Sequence, residues 1–296
     1  MDDIVAALPS FSPGAYAFTF DLKKGYYHVS LHPEVLEYFG LSFDYEGETF
    51  YAVYTVGPFG LATMPWVFTK LMRPWVAKWR GEGLNIFLYL DDGLGVAPDH
   101  GSAVWFSKKV RSDLKKAGII EQSAKCCWSP QPWAEWLGLH IDFEKFELII
   151  PEGKILKALY AVENALEGNC SPKLLMKAAG HLNSFAVVLG KEVLINSKPL
   201  FVEVTKYVLG EKGWNKRIIL SKEAKDCLVF WKEFLPSPRR SLYQKPLSCV
   251  IFSDASNLGG AAFIDKFMTL TNQKWSNTRL YKQLKGVLKS SLFYLL

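Results

Sequence analysis

The stretch Asn85–Pro98 reads NIFLYLDDGLGVAP, and its acidic pair Asp91–Asp92 constrains the fold more than any other feature. Apolar runs at Ile86–Leu90 and Leu94–Ala97 flank the pair, and the order apolar run, Asp-Gly turn, apolar run predicts a β-hairpin. Either both acids are turn residues in water, or they are held between buried strands. In the second case they need a cation, because two like charges ~4 Å apart repel by about 4 kcal/mol at an effective dielectric of about 20. A third acid on a neighbouring strand would favour a metal site.

The third acid is Asp21. The aromatic run Tyr16–Phe20 predicts a buried strand that ends at this residue. An acid in that position is often only a helix cap. The sequel LKKGYYHV is basic and aromatic, which favours a substrate-facing site at least as strongly.

Composition limits the class of protein. The chain has 296 residues, an apolar fraction of 49% and a formal net charge of +6, which permits an anionic partner such as nucleic acid. Its five cysteines are scattered, without CxxC pairs and matching histidines, so a zinc site is not expected. A reducing compartment fits that pattern. Neither a secretory signal nor a long apolar run is found, so we expect an intracellular protein of the cytoplasm or nucleus, without a membrane span.

Other segments predict the surrounding elements. A helix is expected over 65–80, kinked at Pro74, after the tight loop Gly57–Gly60. Four helices are expected over residues 151–235, and their apolar faces predict core packing. Lysines on the first two are either solvated or track a nucleic-acid backbone, and His181 is expected to be packed or solvated. These lysines are Lys154, Lys157, Lys173 and Lys177.

Five ordered segments carry a family resemblance. They are FDLKKGYYHV, GPFGLATMPWVFTKLM, YLDDGLGV, the lysine of SAKCC, and WLGLHID. Together they resemble the successive palm motifs of retroelement reverse transcriptases, nearest to DIRS-type (tyrosine-recombinase) retrotransposons and then to gypsy-type elements. The resemblance implies a mixed α/β (α+β) fold: a right-hand polymerase palm, a helical thumb and connection, and a partial RNase H-like fold.

The resemblance also implies catalytic roles. Asp21 and Asp91 match the two metal-binding aspartates, Asp92 lies beside the second, and Leu22 lends a backbone carbonyl. Lys125 matches the lysine proposed to protonate the leaving pyrophosphate. Nucleotidyl transfer develops charge on both apical oxygens, which two Mg²⁺ ions ~3.5–4 Å apart stabilise. Mg²⁺ prefers hard oxygen ligands, and carboxylates supply them.

Substrate contacts follow from the same motifs. Tyr26 matches the aromatic gate that excludes a ribose 2′-OH. Phe59 and Gly60 match the loop on the incoming nucleotide and template, and Leu90 matches the variable residue near the primer end. The primer grip corresponds to Trp136, Leu137 and Gly138. The implied partners are dNTPs and an RNA or DNA template-primer duplex.

The resemblance divides the chain into a palm with partial fingers over 1–145, a thumb and connection over 146–245, and a truncated RNase H-like domain over 246–296. In the last, Asp254 matches the first metal carboxylate, whereas Gln283 stands where relatives carry Glu. Only 20 residues precede Asp21, so the fingers clamp for the triphosphate is expected to be missing, as in an incomplete copy.

The function implied is RNA-directed DNA polymerisation. A non-catalytic nucleic-acid-binding remnant is the alternative, and a metal phosphohydrolase leaves Tyr26 and the Gly57–Gly60 loop unexplained. The sequence does not fix the oligomeric state.

Overall fold

The computed structural model describes residues 1–168, 170–190, 192–208, 213–235 and 239–243, and the backbone of three further strands between 251 and 274. The chain divides into two compact units. The first comprises Met1–Gly153 with Pro238–Leu242, and the second comprises Lys154–Ser237 with Tyr243–Leu296.

Helices and strands alternate through the first unit, and helices dominate the second. The helices are α1 (Ile4–Ala7), α2 (Met64–Gly81), α3 (His100–Lys116), α4 (Glu152–Leu166), α5 (Pro172–Ser184), α6 (Ala186–Leu189), α7 (Glu192–Val208) and α8 (Lys222–Phe234). The strands are β1 (Tyr16–Asp21), β2 (Gly40–Tyr45), β3 (Glu48–Val53), β4 (Asn85–Tyr89), β5 (Asp92–Ala97), β6 (Cys127–Gln131), β7 (Trp133–Trp136), β8 (Leu139–Asp142), β9 (Glu147–Ile149), β10 (Arg239–Ser241), β11 (Ile251–Ala255), β12 (Gly259–Ile264) and β13 (Thr269–Lys274).

The central sheet of the first unit is antiparallel, in the order β4-β5-β1-β6. Phe18 and Phe20 of β1 form one core with Phe68 and Trp79 of α2, and apolar residues of α3 join the same core. Burial of these side chains is the main favourable term in folding such a layer. The sheet therefore gives the end of β1 a rigid support.

Two positions of β5 require glycine because of aromatic packing rather than turn geometry. A Cβ on Gly93 would lie 2.1 Å from the Phe20 ring, and one on Gly95 would lie 2.2 Å from the Phe18 ring. The prediction of an Asp-Gly turn is therefore wrong in detail. The two-residue turn is Leu90–Asp91, and Gly93 lies inside β5.

A buried carboxylate links α2 to α3. Asp113 accepts hydrogen bonds from Lys109 Nζ at 2.8 Å, Trp79 Nε1 at 3.1 Å and Lys78 Nζ at 3.2 Å. Burial alone would raise the pKa of Asp113, but these donors outweigh it and lower the pKa to about 2. Its charge is therefore paired, as a buried charge must be.

A second antiparallel sheet has the order β10-β9-β8-β7. The segment Trp136–Ile141 is divided between the end of β7 and most of β8. The break is a two-residue turn at Leu137 and Gly138, whose φ angles of 48° and 71° suit the hairpin turns that match strand twist. The turn also projects these two residues from the sheet.

The hairpin β2–β3 forms a two-stranded sheet of its own. Phe43 pairs with Phe50 across the strands, and their rings stack with centroids 5.6 Å apart. All six residues of β3 are exposed. This hairpin is thus held mainly by its own ladder.

In the second unit, α5, α7 and α8 pack together around buried apolar residues. The buried Glu203 of α7 accepts hydrogen bonds from the Ser221 backbone N–H at 3.0 Å and hydroxyl at 2.9 Å, which fixes the start of α8. The strands β11, β12 and β13 form an antiparallel sheet in that order. No helix in the described part of the chain is both long and apolar enough for a membrane crossing.

Candidate active site

The structure brings the three predicted acids to one end of the central sheet. Asp21 at the end of β1 is paired with Asp92, the first residue of β5. The Leu22 N–H donates to the Asp91 carbonyl at 2.9 Å, so the turn beside β5 is tied to the same point. Strand pairing therefore brings Asp21 to the adjacent pair Asp91–Asp92, which is distant from it in sequence, and the three form one acidic cluster.

Burial and mutual repulsion shape the electrostatics of this cluster. Burial raises the pKa of Asp91 and of Asp92, and the negative charge of Asp21 raises both further. The Asp21 side chain itself is nearly buried. Such shifts arise where like charges are held together in a partly dry site, and they are common at functional sites.

Lys125 supplies the local counter-charge. Its Nζ lies 3.0 Å from Asp21 Oδ2 and donates a hydrogen bond to it. That bond and the charge of Asp21 raise the pKa of Lys125, so the side chain is an ammonium at neutral pH. The lysine side chain is two-thirds exposed, whereas the Asp21 carboxylate is largely buried. An exposed cation therefore covers one face of Asp21.

The donor set fits Mg²⁺ in chemistry. All three side chains are carboxylates, and one lysine cannot offset the charge of all three. Within the described residues, no group of three or more His, Cys, Asp or Glu is arranged to hold a metal ion alone. Mg²⁺ does not require such a cage, because it binds through one or two carboxylates, waters and substrate phosphates.

The predicted gate residue lies beside the acids. Tyr26 contacts Phe59 with ring centroids 4.9 Å apart and Phe68 at 5.9 Å. Burial raises the pKa of Tyr26, and the charge of Asp91 adds to that rise, so the phenol stays neutral. The ring is therefore braced on one side by the core and on the other by the loop.

The loop before α2 is shaped by close contacts. A Cβ on Gly57 would lie 2.3 Å from the end of the Met64 side chain, so that side chain would have to move to admit a larger residue. Gly60 has a φ of +97°, which also favours glycine. Phe59 between them is 58% exposed, and its ring is available to a ligand.

The two turns at the edge of the site carry strain. Leu90 has a φ of +54° in the β4–β5 turn, a position that usually holds glycine. Leu137 has a comparable φ in the β7–β8 turn. The Trp136 Nε1–H donates to the Asp92 carbonyl at 3.3 Å, which links the predicted primer-grip turn to the acidic strand.

Sequence reasoning missed a segment that runs along the site, Ile120–Cys126, which we name the strap. The Lys23 N–H donates to the Ile120 carbonyl at 2.8 Å, and the Gln122 N–H donates to the Asp21 carbonyl at 2.8 Å. The Cys126 thiol joins the strap to the last residue of β1, and the His28 ring joins it to the segment after β1. The only signal in sequence was that SAKCC places a cysteine next to Lys125.

The remaining predicted residues lie elsewhere. Asp254 is in β11, paired with Ala261, and its side chain lies outside the described residues, as does Gln283. His181 of α5 is half-buried. Burial lowers its pKa, and the charges of Lys177, Lys157 and Lys154 lower it further. These lysines therefore share one basic surface of the second unit.

Comparison with known proteins agrees with the geometry. Residues 11–141 match the family model described as reverse transcriptase (RNA-dependent DNA polymerase). No curated protein matches the chain.

Solved structures of viral enzymes are similar to this chain in fold. The foamy viral protease-reverse transcriptase dRH in complex with double-stranded DNA is similar with a TM-score of 0.64 and 19% identity, over 100% of this chain and 50% of that one. The same kind of viral enzyme in complex with an RNA/DNA hybrid is similar with a TM-score of 0.61 and 18% identity, over 100% and 39%. The chain thus spans about half the length of the first of these relatives.

These similarities confirm the predicted mixed α/β, palm-like fold. The acidic cluster, the Tyr26 ring and the Phe59 loop all lie within the segment that matches the family model. Residues 11–141 are therefore similar in sequence to reverse transcriptases, and the chain is similar in fold to solved structures of such enzymes.

Proposed function

We propose that this protein is, or derives from, an RNA-directed DNA polymerase that transfers nucleotides from dNTPs to a primer 3′ end. The observation that carries the proposal is the convergence of Asp21 with Asp91 and Asp92 at the end of the β1–β5 pair, where Lys125 meets Asp21. The family match over residues 11–141 supports the reaction class.

Two Mg²⁺ ions would be held by the carboxylates of Asp21, Asp91 and Asp92 and the backbone carbonyl of Leu22. When bound, they would supply positive charge to the attacking and leaving oxygens of an in-line phosphoryl transfer. The rigid sheet behind Asp21 favours this role, because catalytic groups must be held in place before the reaction.

Protein side chains would orient the substrates. The Tyr26 ring, fixed against Phe68, would block a 2′-OH on the incoming sugar, which is the group that separates ribonucleotides from dNTPs. Exposed Phe59 and the adjacent Gly60 would contact the nucleotide and template. Leu90 and the Trp136–Gly138 turn would place the primer end.

Lys125 Nζ would donate a proton to the leaving pyrophosphate. Its raised pKa keeps the ammonium charged at neutral pH, which is the state an acid needs before the transfer. Because the Lys125 side chain is exposed, its ammonium could leave Asp21 and bind a phosphate oxygen instead.

A template-primer duplex is the proposed macromolecular partner. The similar viral enzymes were solved with double-stranded DNA and with an RNA/DNA hybrid. We place the element nearest to DIRS-type retrotransposons, then gypsy-type, on the order of the motifs in sequence. We also propose an intracellular site of action.

We further propose a thumb and connection over 146–245 and an inactive RNase H-like remnant over 246–296, with the palm and partial fingers over 1–145. Gln283 would stand where a metal-binding acid is needed, and an amide cannot offset cation charge. An RNA–DNA hybrid cleavage assay tests the remnant, and cleavage lost in Asp254→Asn would contradict the proposal.

Primer extension on an RNA template with Mg²⁺ tests the main proposal. Asp21→Asn should lower the rate by at least about a hundredfold, because it removes charge where charge develops. Asp44→Asn is the matched control, since that aspartate lies on the exposed β2–β3 hairpin and should leave the rate unchanged.

The alternative is a nucleic-acid-binding remnant without catalysis, which the basic surface of the second unit favours. Salt-dependent binding of duplex without dNTP incorporation by the wild type would select it.

A further inference from the structure

We propose that the strap Ile120–Cys126 is a positioning device that fixes two parts of the active site through separate contacts. Cys126 aligns the backbone of Asp21, and His28 aligns the turn that carries Tyr26. The inference rests on the proposed function, because it assigns how that site is held in shape.

The first contact replaces a missing strand partner. The β1–β6 ladder ends where Thr19 pairs with Cys127, after a shift of register. Beyond that point the Asp21 N–H donates to Cys126 Sγ at 3.3 Å, and the thiol lies within 3.4 Å of the Gln122 carbonyl and 3.6 Å of the Asp21 carbonyl. One side chain therefore satisfies both the buried amide and a carbonyl.

This contact controls the direction of the Asp21 carboxylate. The Asp21 carbonyl accepts from Gln122 N–H, and the carboxylate accepts from Lys125 Nζ. The strap thus holds the residue by its amide, its carbonyl and its side chain. An unpaired buried amide is unfavourable, so loss of the thiol would favour a rotated or frayed strand end.

The second contact uses both ring nitrogens of His28. Nδ1 lies 3.0 Å from the Gly25 carbonyl, and Nε2 accepts from the Ile120 N–H at 3.0 Å. This pattern requires a neutral ring with its hydrogen on Nδ1. The ring therefore bridges the two ends of the Gly25–His28 turn to the strap.

Tyr26 lies within that bridged turn. Gly25 is packed so closely that a Cβ would lie 2.9 Å from the Phe68 ring. The turn is thus fixed by Phe68 on one side and by His28 on the other. A gate that distinguishes a single hydroxyl needs this constraint, because a small displacement of the ring would admit the 2′-OH.

The two contacts predict different defects. Cys126→Ala should raise the Mg²⁺ concentration for half-maximal primer extension by about five- to tenfold, the factor of one hydrogen bond to a buried group, with the dNTP/rNTP ratio unchanged. Cys126→Ser, which keeps an acceptor and a donor, should restore most of the loss. Cys127→Ala is the control and should behave as wild type, since within the described residues that thiol donates to the Ser129 carbonyl and to no group of the acidic cluster.

His28→Ala should lower the dNTP/rNTP selectivity by about the same factor, with the Mg²⁺ requirement unchanged. A purely structural strap would instead shift both quantities together, and would do so in proportion to the loss of stability measured by urea unfolding.

Hydrogen exchange of backbone amides covers the case of a catalytically silent chain. Both variants should speed exchange within residues 21–28, at Asp21 for Cys126→Ala and in the Gly25–His28 turn for His28→Ala. Unchanged exchange in both would overturn the proposal. Faster exchange in the variants, with no Mn²⁺ binding and no incorporation by the wild type, would leave the strap in place and reject the polymerase function.

Discussion

The central strand pair β1–β5 and the hairpin β2–β3 are built on the same plan and have opposite environments. Both are antiparallel, and both carry two phenylalanines, Phe18 and Phe20 along β1 and the cross-strand pair Phe43 and Phe50 in the hairpin. Phe20 is 1% exposed between the rings of Trp79 and Trp128, whereas Phe43 is 49% exposed beside Phe50. The two regions therefore share an antiparallel strand pattern, but among the described residues only the β1–β5 pair is covered by a layer of helices.

The difference shows why the acidic cluster lies where it does. Asp21 ends β1, whose phenylalanines pack against α2 and α3, and Asp92 is its partner on β5. The two carboxylates can therefore be held close despite their repulsion. The hairpin has no such layer among the described residues, and its acids lie in water. A catalytic group needs the first kind of support.

Removal of one aromatic ring should give the largest difference in stability between the two regions. Phe20→Ala should lower the free energy of unfolding by about 3–5 kcal/mol, because it leaves a cavity between two tryptophans. Phe43→Ala should lower it by at most about 1 kcal/mol, since half of that ring is already in water. Urea unfolding followed by tryptophan fluorescence measures both, and equal losses would show that the hairpin is covered in solution.

A single added methyl group should also change the stability of the two regions by different amounts. Gly93→Ala forces a Cβ to 2.1 Å from a Phe20 ring that cannot move, so a loss of about 3 kcal/mol is expected. Gly40→Ala, whose nearest neighbour is the Ala52 carbonyl at 4.0 Å, should change stability by less than about 0.5 kcal/mol. Tolerance of alanine at Gly93 would contradict the packing described for β5.

Lowering the pH should give a smaller difference in stability between the two regions. The pKa of Asp113 lies below its unfolded value, so its contribution is fully present above about pH 4 and is lost as the pH falls toward 2. Stability should drop by about 2 kcal/mol over that window through this group. Asp113→Asn should flatten that part of the profile, whereas Asp44→Asn on the hairpin should leave it unchanged. A wild-type profile without this slope would mean that α2 and α3 are held by other contacts.

Sequence patterns predicted much of this architecture because they are local. The helix that contains Pro74 and the paired strands around Asp91–Asp92 both follow from periodicity and turn residues. Motif order predicted the family, and the match over residues 11–141 agrees. Local patterns could not place the turn at Leu90–Asp91, because Gly93 resembles a turn residue and is in fact a packing residue.

What the sequence determined by itself was the set of chemical groups: three acids, a lysine and a tyrosine in a fixed order, with the strands that bear them. Only the tertiary structure decided how they act on each other. The pairing of Asp21 with Asp92, the reach of Lys125 across about a hundred residues of chain, the contact of Cys126 with Asp21 and the contact of His28 with Ile120 are all long-range. Such contacts depend on how separate strands and loops pack together, and no periodicity within a single segment encodes that.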